Sequence, residues 1–120
     1  MDRYYTGKVG EELTAYYLSQ AGYTILCRNY RIRGGEIDII AAKDGIIAFV
    51  EVKTRAEDAW ENGAAAVTRR KKRLIMSAAE RYMLENDIDM QPRYDIAEVT
   101  MRGMKPIRLN YLDNAYDASE

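Results

Sequence analysis

Hydrophobic positions recur every three or four residues in two stretches of the chain, which predicts two helices. The first covers residues 7–22, and Gly22 supplies a C-terminal stop. Its apolar positions are Val9, Leu13, Tyr16, Tyr17 and Ala21. The second helix has Thr68 as its expected N-cap and ends near Asn86. Its apolar positions are Val67, Leu74, Ile75, Ala78, Ala79, Tyr82 and Met83.

Five shorter stretches, rich in β-branched and aromatic residues, predict strands. They are residues 23–30, 36–40, 46–53, 94–101 and 107–112. The turn Lys43-Asp44-Gly45 joins the second stretch to the third and predicts an antiparallel hairpin. Residues 54–66 are polar and then alanine-rich, which predicts a mobile connection in which Trp60 packs rather than stacks on a base.

The order of these elements indicates the fold class. A helix, three strands, a helix and two strands predict a mixed α/β (α+β) fold, with a central sheet of about five strands flanked by helices. At 120 residues, the chain has the size of one domain, so we expect residues 1–120 to form a single domain.

The amino-acid composition limits the kinds of catalytic site that the chain can form. The chain has no histidine, which excludes Ser-His-Asp triads, HExxH zinc sites and histidine proton shuttles. Its single cysteine, Cys27, excludes an intramolecular disulfide and cysteine-rich zinc sites. Catalysis would therefore use carboxylates and amines, and oxygen ligands favour Mg²⁺ or Mn²⁺ over zinc.

Charge and hydropathy bear on location and partners. The net charge of -1 argues against coating nucleic acid through bulk charge alone. The cations are nevertheless clustered, most densely in an unbroken basic run from Arg69 to Arg73, so a local basic face is expected. No apolar run is long enough to span a membrane, and no secretory signal is visible. We expect a cytoplasmic protein.

The hairpin carries a set of charges at alternating positions. Glu36 and Asp38 share one face of its first strand, and Glu51 and Lys53 share one face of the second. The apolar residues between them predict that the opposite face is buried; they are Ile37, Ile39, Val50 and Val52. The hairpin thus predicts a cation site with Asp38 and Glu51 as direct ligands.

Phosphodiester hydrolysis is the chemistry that such a site suits, because a metal ion can activate water and absorb developing charge. Lys53 would position that water and steady the transition state. The plainer alternative is a solvated cross-strand ion pair between Glu51 and Lys53, which is common in antiparallel sheets.

Several motifs resemble a known family. They are Gly10-Glu11, Gly35-Glu36-Ile37-Asp38, Phe49-Val50-Glu51-Val52-Lys53-Thr54-Arg55 and Val67-Thr68 leading into Lys71. In order and spacing they resemble the YraN-like family of small bacterial proteins, over nearly the whole chain. The resemblance implies the restriction-endonuclease-like PD-(D/E)xK nuclease fold, and kinship to archaeal Holliday-junction resolvases.

The resemblance also implies roles for individual residues. It places metal carboxylates at Asp38 and Glu51, the catalytic lysine at Lys53 and a further acidic residue at Glu11. Periodicity alone does not choose between Glu11 and Glu12, since either could simply stabilise a helix N-terminus. Glu36 stands where related nucleases often carry another residue, and it would support the metal site or a second metal.

The basic helix offers further candidates. On a helical wheel Lys71 is nearly in line with the apolar stripe, so we expect it to point toward the sheet and contribute to catalysis. Lys72 is the weaker alternative. The other cations are predicted to bind the phosphate backbone of a nucleic acid, and this set is Arg55, Arg69, Arg70, Lys72 and Arg73.

Together these features predict a divalent-metal-dependent endonuclease that acts on DNA, with branched DNA favoured by analogy alone. A homodimer would suit two-fold branched substrates. Two alternatives stay open. One is a nuclease-fold protein that acts on or binds RNA, and the other is a non-catalytic scaffold for a protein partner.

Overall fold

In the computed structural model the described residues are 3–59 and 67–119. Within them two helices and five strands follow one another in the predicted order. They are α1 (Arg3–Gln20), β1 (Thr24–Ile32), β2 (Gly35–Lys43), β3 (Ile46–Ala56), α2 (Arg69–Glu85), β4 (Gln91–Arg102) and β5 (Lys105–Tyr116). Neither helix is long and apolar enough to cross a membrane.

The strands form one sheet in the order β1-β2-β3-β4-β5. β3 and β4 run parallel, because α2 carries the chain back between them, and the other neighbouring pairs are antiparallel. The predicted mixed α+β fold with a sheet of about five strands is therefore confirmed.

The turn between β2 and β3 shows why the hairpin forms. Asp44 and Gly45 both have positive φ, at 50° and 79°. Two successive left-handed residues make the tight turn that matches the twist of paired strands, and Asp-Gly is a favoured sequence for it. The hairpin prediction is confirmed.

β3 extends farther than predicted. Thr54, Arg55 and Ala56, which were assigned to a connection, continue the strand by lying opposite Val99, Thr100 and Met101 of β4. This parallel partner lies more than forty residues away, so local pattern gives no sign of it. Residues 60–66 of that connection, including Trp60, lie outside the described residues.

The buried side of α1 is not the predicted one. Tyr16 is 65% exposed, and Tyr17 is 42% exposed although its ring centre lies 5.3 Å from that of Tyr111, so the prediction that both are buried in the stripe was wrong. The buried positions recur every four residues instead and carry mostly small side chains: Thr6, Gly10, Thr14 and Leu18. A side chain at Gly10 would overlap the Thr54 methyl group, so the helix lies too close to β3 for tyrosine.

The buried side of α2 follows the prediction. Thr68 caps the helix, and its Oγ1 accepts a hydrogen bond of 3.1 Å from the Lys71 backbone N–H. The stripe packs on one face of the sheet, hereafter the α2 face. That cluster consists of Ile37, Ile40, Ile47, Phe49, Ile75, Ala78, Ala79 and Tyr82.

The opposite, α1 face of the sheet is also buried. Leu18 packs there with Ile39 and Val50, among other residues. Ile37 and Ile39 therefore lie in different clusters, and the prediction that they share one buried face with Val50 was wrong. The regular alternation of side chains between the two faces of β2 breaks at Asp38, which lies between them. Because helices cover both faces, both must be apolar.

A buried aspartate of β4 joins this strand to β5. Asp95 is fully buried and accepts hydrogen bonds of 2.9 and 2.8 Å from the Nε and Nη2 atoms of Arg93. Its carboxylate also accepts from the Tyr111 hydroxyl and the Asn114 backbone N–H. These four bonds satisfy a charge that would otherwise be costly to bury.

Candidate metal site

The candidate site lies where β2 and β3 separate. Their paired residues run from Ile39 to Lys43 on β2, so pairing stops just before Asp38. In the gap, Asp38 Oδ2 accepts a hydrogen bond of 2.8 Å from the Val52 backbone N–H. The Asp38 side chain thus fills the opening between the two strands, with α1 on one side and α2 on the other.

Three carboxylates meet on the α1 side of this gap. One oxygen from each of Glu11, Glu36 and Asp38 can be chosen so that all three lie within 4.8 Å of one another. Asn29 of β1 lies between the two glutamates, and its Nδ2 donates to Glu11 Oε1 at 3.0 Å and to Glu36 Oε1 at 3.1 Å. One amide group therefore holds both carboxylates in place.

The structure distinguishes Glu11 from Glu12 as the candidate ligand, a choice that helical periodicity leaves open. The Glu11 side chain is 14% exposed and faces the other carboxylates, whereas the Glu12 side chain is 68% exposed. Arg28 of β1 contacts Glu12 at 2.8 Å and lies 4.0 Å from Glu11. Glu11 is the one of the pair that can reach a shared cation.

Glu51 occupies the α2 side of the gap, together with two lysines. Lys53 Nζ lies 3.4 Å and Lys71 Nζ 3.5 Å from the same oxygen, Glu51 Oε1. Lys71 thus points toward the sheet, as the helical wheel predicts. The other oxygen, Oε2, is buried and has no hydrogen-bond partner among the residues that the structure describes. An unpaired carboxylate oxygen on a side chain only 5% exposed is costly, and a ligand would relieve that cost.

The raised pKa of Asp38 reflects its burial and the carboxylates around it. Burial, and next the negative charge of Glu51, raise the pKa of the Asp38 carboxyl from 3.8 to about 8. The hydrogen bond from Val52 acts in the opposite direction, and Glu11 and Glu36 add to the rise. A divalent cation would reverse this balance, because its charge favours the ionised carboxylate.

The residues present fit a hard divalent cation. Glu11, Glu36 and Asp38 offer only carboxylate oxygens, the ligands that Mg²⁺ and Mn²⁺ prefer. Glu51 supplies the unpaired oxygen from the other side of the gap. Of the four predicted ligands, the structure places Glu11, Glu36 and Asp38 in one group, while Glu51 lies outside it but close enough for its charge to raise the pKa of Asp38.

The predicted nucleic-acid contacts are spread more widely. On α2, Arg69, Arg70 and Arg73 are exposed, while Lys72 is half-buried with its Nζ 5.2 Å from the centre of the Tyr116 ring. Arg55 is half-buried and its Nη1 donates to the Ala59 carbonyl at 3.4 Å. A phosphate-binding role for these residues stays a prediction.

Two polar residues of the site are not singled out by the sequence pattern. Asn29 and Arg28 lie on β1, and hydrogen bonds or ion pairs join both to Glu11 or its neighbour. Asparagine is disfavoured in strands, so its place within residues 23–30 was an available signal. Its φ of 54° shows that the strand is locally distorted there.

Comparison with known proteins supplies the family. The uncharacterised protein family UPF0102 matches residues 10–99. A UPF0102 protein of Alkaliphilus oremlandii is 42% identical over 113 residues, covering 92% of this chain and 96% of its own length. One from Chlorobium phaeobacteroides is 42% identical over 120 residues, covering 98% and 94%. The chain belongs to the UPF0102 family, the family that the YraN-like motifs indicate.

Proposed function

We propose that this protein is a divalent-metal-dependent endonuclease that hydrolyses phosphodiester bonds in DNA. The observation that supports it most strongly is the arrangement around Asp38. Three clustered carboxylates lie on one side, and on the other lies a buried glutamate that has one unpaired oxygen and two lysines. A plain surface ion pair would not bury Glu51 to 5% exposure, nor leave its second oxygen without a partner in the described part of the chain.

Each residue has a role that its position supports. Asp38 and Glu51, with Glu11 and Glu36, would hold a Mg²⁺ or Mn²⁺ ion. That ion would supply Lewis-acid chemistry, lowering the pKa of the attacking water and offsetting charge on the phosphate. The Lys53 ammonium group, fixed by Glu51, would orient the water and stabilise the negative charge of the transition state. Lys71 adds a second positive charge at the same point.

DNA as the substrate follows from the resemblance to PD-(D/E)xK nucleases and from the exposed arginines of α2. The cytoplasmic location, the single domain and a homodimer suited to branched DNA stay predictions.

The test compares two aspartate variants under identical purification. Asp38→Asn removes one charge from the site, whereas Asp44→Asn makes the same change in the exposed β2–β3 turn. We expect wild type and Asp44→Asn to cleave DNA in millimolar Mn²⁺ and to gain thermal stability on adding it, because Mn²⁺ binds only the native state. Asp38→Asn is expected to lose both responses while remaining folded.

Equal cleavage by the two variants would show that the activity comes from elsewhere. A wild-type protein with neither cleavage nor a Mn²⁺-dependent rise in melting temperature would favour the non-catalytic scaffold. Cleavage of RNA but not DNA would show that DNA is not the substrate, and it would leave the assignment of the metal site intact.

A further inference from the structure

A pocket of about 350 Å³ adjoins the candidate metal site on the α1 side. Glu11 and Glu36 form its inner end, and Asn29, which bonds to both, lies beside them. The volume lies within the range of pockets that hold small ligands. Anything bound there would lie directly beside the proposed reaction centre.

The outer part of the pocket offers an aromatic ring and two cations. Tyr4 and Lys8 lie one turn apart on α1, and Arg31 approaches from β1. Lys8 Nζ lies 5.7 Å from the centre of the Tyr4 ring, whose side chain is 75% exposed. An aromatic surface next to cations suits a nucleobase with its phosphate, because bases stack on rings while phosphates bind cations.

One of the residues that line the pocket is a glycine. Gly7 lies inside α1, where glycine is a poor helix former. A Cβ added at Gly7 would meet no atom within 4 Å, so the packing of the described residues does not require glycine there. Gly10 differs, because a Cβ there would overlap Thr54. The missing side chain at Gly7 keeps the pocket open.

We propose that this pocket binds one unpaired nucleotide next to the phosphodiester bond that is cleaved. This rests on the proposed function, which places the reacting phosphate at the neighbouring carboxylates. A base inside a duplex is stacked on both sides and reaches Tyr4 only if it is flipped out at the cost of unstacking, so the pocket favours a substrate that already presents an unpaired nucleotide. Single strands and flaps present one without that cost, whereas continuous duplex does not.

The test measures binding separately from cleavage. Fluorescence anisotropy would follow labelled single-stranded DNA, single-stranded RNA of the same sequence, and fully paired duplex DNA, all with Ca²⁺ in place of Mn²⁺. Two variants act on the pocket: Tyr4→Ala removes the ring, and Gly7→Leu adds a side chain to the lining. Tyr16→Ala is the matched control, since Tyr16 is 65% exposed on the same helix and does not line the pocket.

We expect wild type to bind the single strand more tightly than duplex. Tyr4→Ala should weaken single-strand binding by about tenfold, the effect of losing one base-aromatic stack. Gly7→Leu should weaken it at least as much, while its melting temperature stays equal or rises because leucine is the better helix former. Tyr16→Ala should bind as wild type does. A preference for the RNA strand would identify RNA as the source of the unpaired nucleotide.

Two results would overturn the inference. One is tighter binding of duplex than of single strands, and the other is an equal effect of Tyr4→Ala and Tyr16→Ala. Neither result touches the proposed function if Asp38→Asn still abolishes Mn²⁺-dependent cleavage. If wild type shows no cleavage at all, the proposed function fails, and the binding comparison still decides whether the pocket takes an unpaired nucleotide.

Discussion

Replacing Asp38 by asparagine is expected to stabilise the metal-free protein. The carboxylate is buried beside Glu51, and both effects raise its pKa from 3.8 to about 8. Each unit of pKa difference corresponds to about 1.4 kcal/mol, so ionised Asp38 destabilises the native state by at most about 6 kcal/mol. Side chains relax and water enters when such a group ionises, and we therefore expect a gain of about 2 kcal/mol.

The gain should depend on pH with a definite sign. A carboxyl whose pKa is raised on folding holds its proton in the native state after the unfolded chain has lost it. Its contribution to stability is therefore full below the unfolded pKa of about 4, and it is lost as pH rises toward about 8. Asparagine cannot titrate, so the advantage of Asp38→Asn should be small near pH 5 and largest near pH 9.

Urea denaturation in the presence of a chelator, repeated across that pH range, measures this difference. The Val52 N–H can still donate to an asparagine oxygen, so the variant keeps the contact that orients the side chain. Asp44→Asn serves as the control, because it changes the same chemical group in an exposed turn. An Asp38→Asn protein that is less stable than wild type at every pH would refute the account of a strained carboxylate.

Three further predictions concern the fold. Asp95→Ala removes the carboxylate that pairs with half-buried Arg93 and should cost about 3–5 kcal/mol in urea denaturation. A loss below about 1 kcal/mol would show that the pair is dispensable. Thr68→Ala removes the cap of α2 and should cost about 1 kcal/mol, with Thr68→Ser close to wild type as the check. Gly7→Ala should raise the free energy of unfolding by up to about 1 kcal/mol, whereas Gly10→Ala should lower it. Melting temperatures that rise in both variants, or fall in both, would contradict the packing of α1.

The elements were predictable where local chemistry decides them. The Asp44-Gly45 turn specifies its hairpin through two left-handed residues, and Thr68 specifies the start of α2 through one hydrogen bond. The parallel pairing of β3 with β4 was not predictable, because it joins residues far apart along the chain. The packed side of α1 was missed since close approach to Thr54 favours small residues over the apolar tyrosines.

The candidate site, too, was predictable from the sequence only in part. Asp38, Glu51 and Lys53 stand out because charges alternate with hydrophobes along two adjoining strands. The choice of Glu11 over Glu12 depends on how α1 is rotated against the sheet, which only packing determines. The role of Asn29 depends on a locally distorted strand, which lets its side chain meet one glutamate of α1 and one of β2. Such contacts leave no periodic trace in the sequence.

The most direct test of the metal-dependent nuclease site is cleavage of DNA by wild type and Lys53→Ala in Mn²⁺. Lys53→Ala keeps the four carboxylates and removes only the ammonium group fixed by Glu51. Lys105→Ala, in the exposed β4–β5 hairpin, is the matched control. We predict that wild type and Lys105→Ala cleave at the same rate, and that Lys53→Ala loses cleavage while its melting temperature still rises with Mn²⁺. Equal cleavage by all three proteins would contradict the assignment.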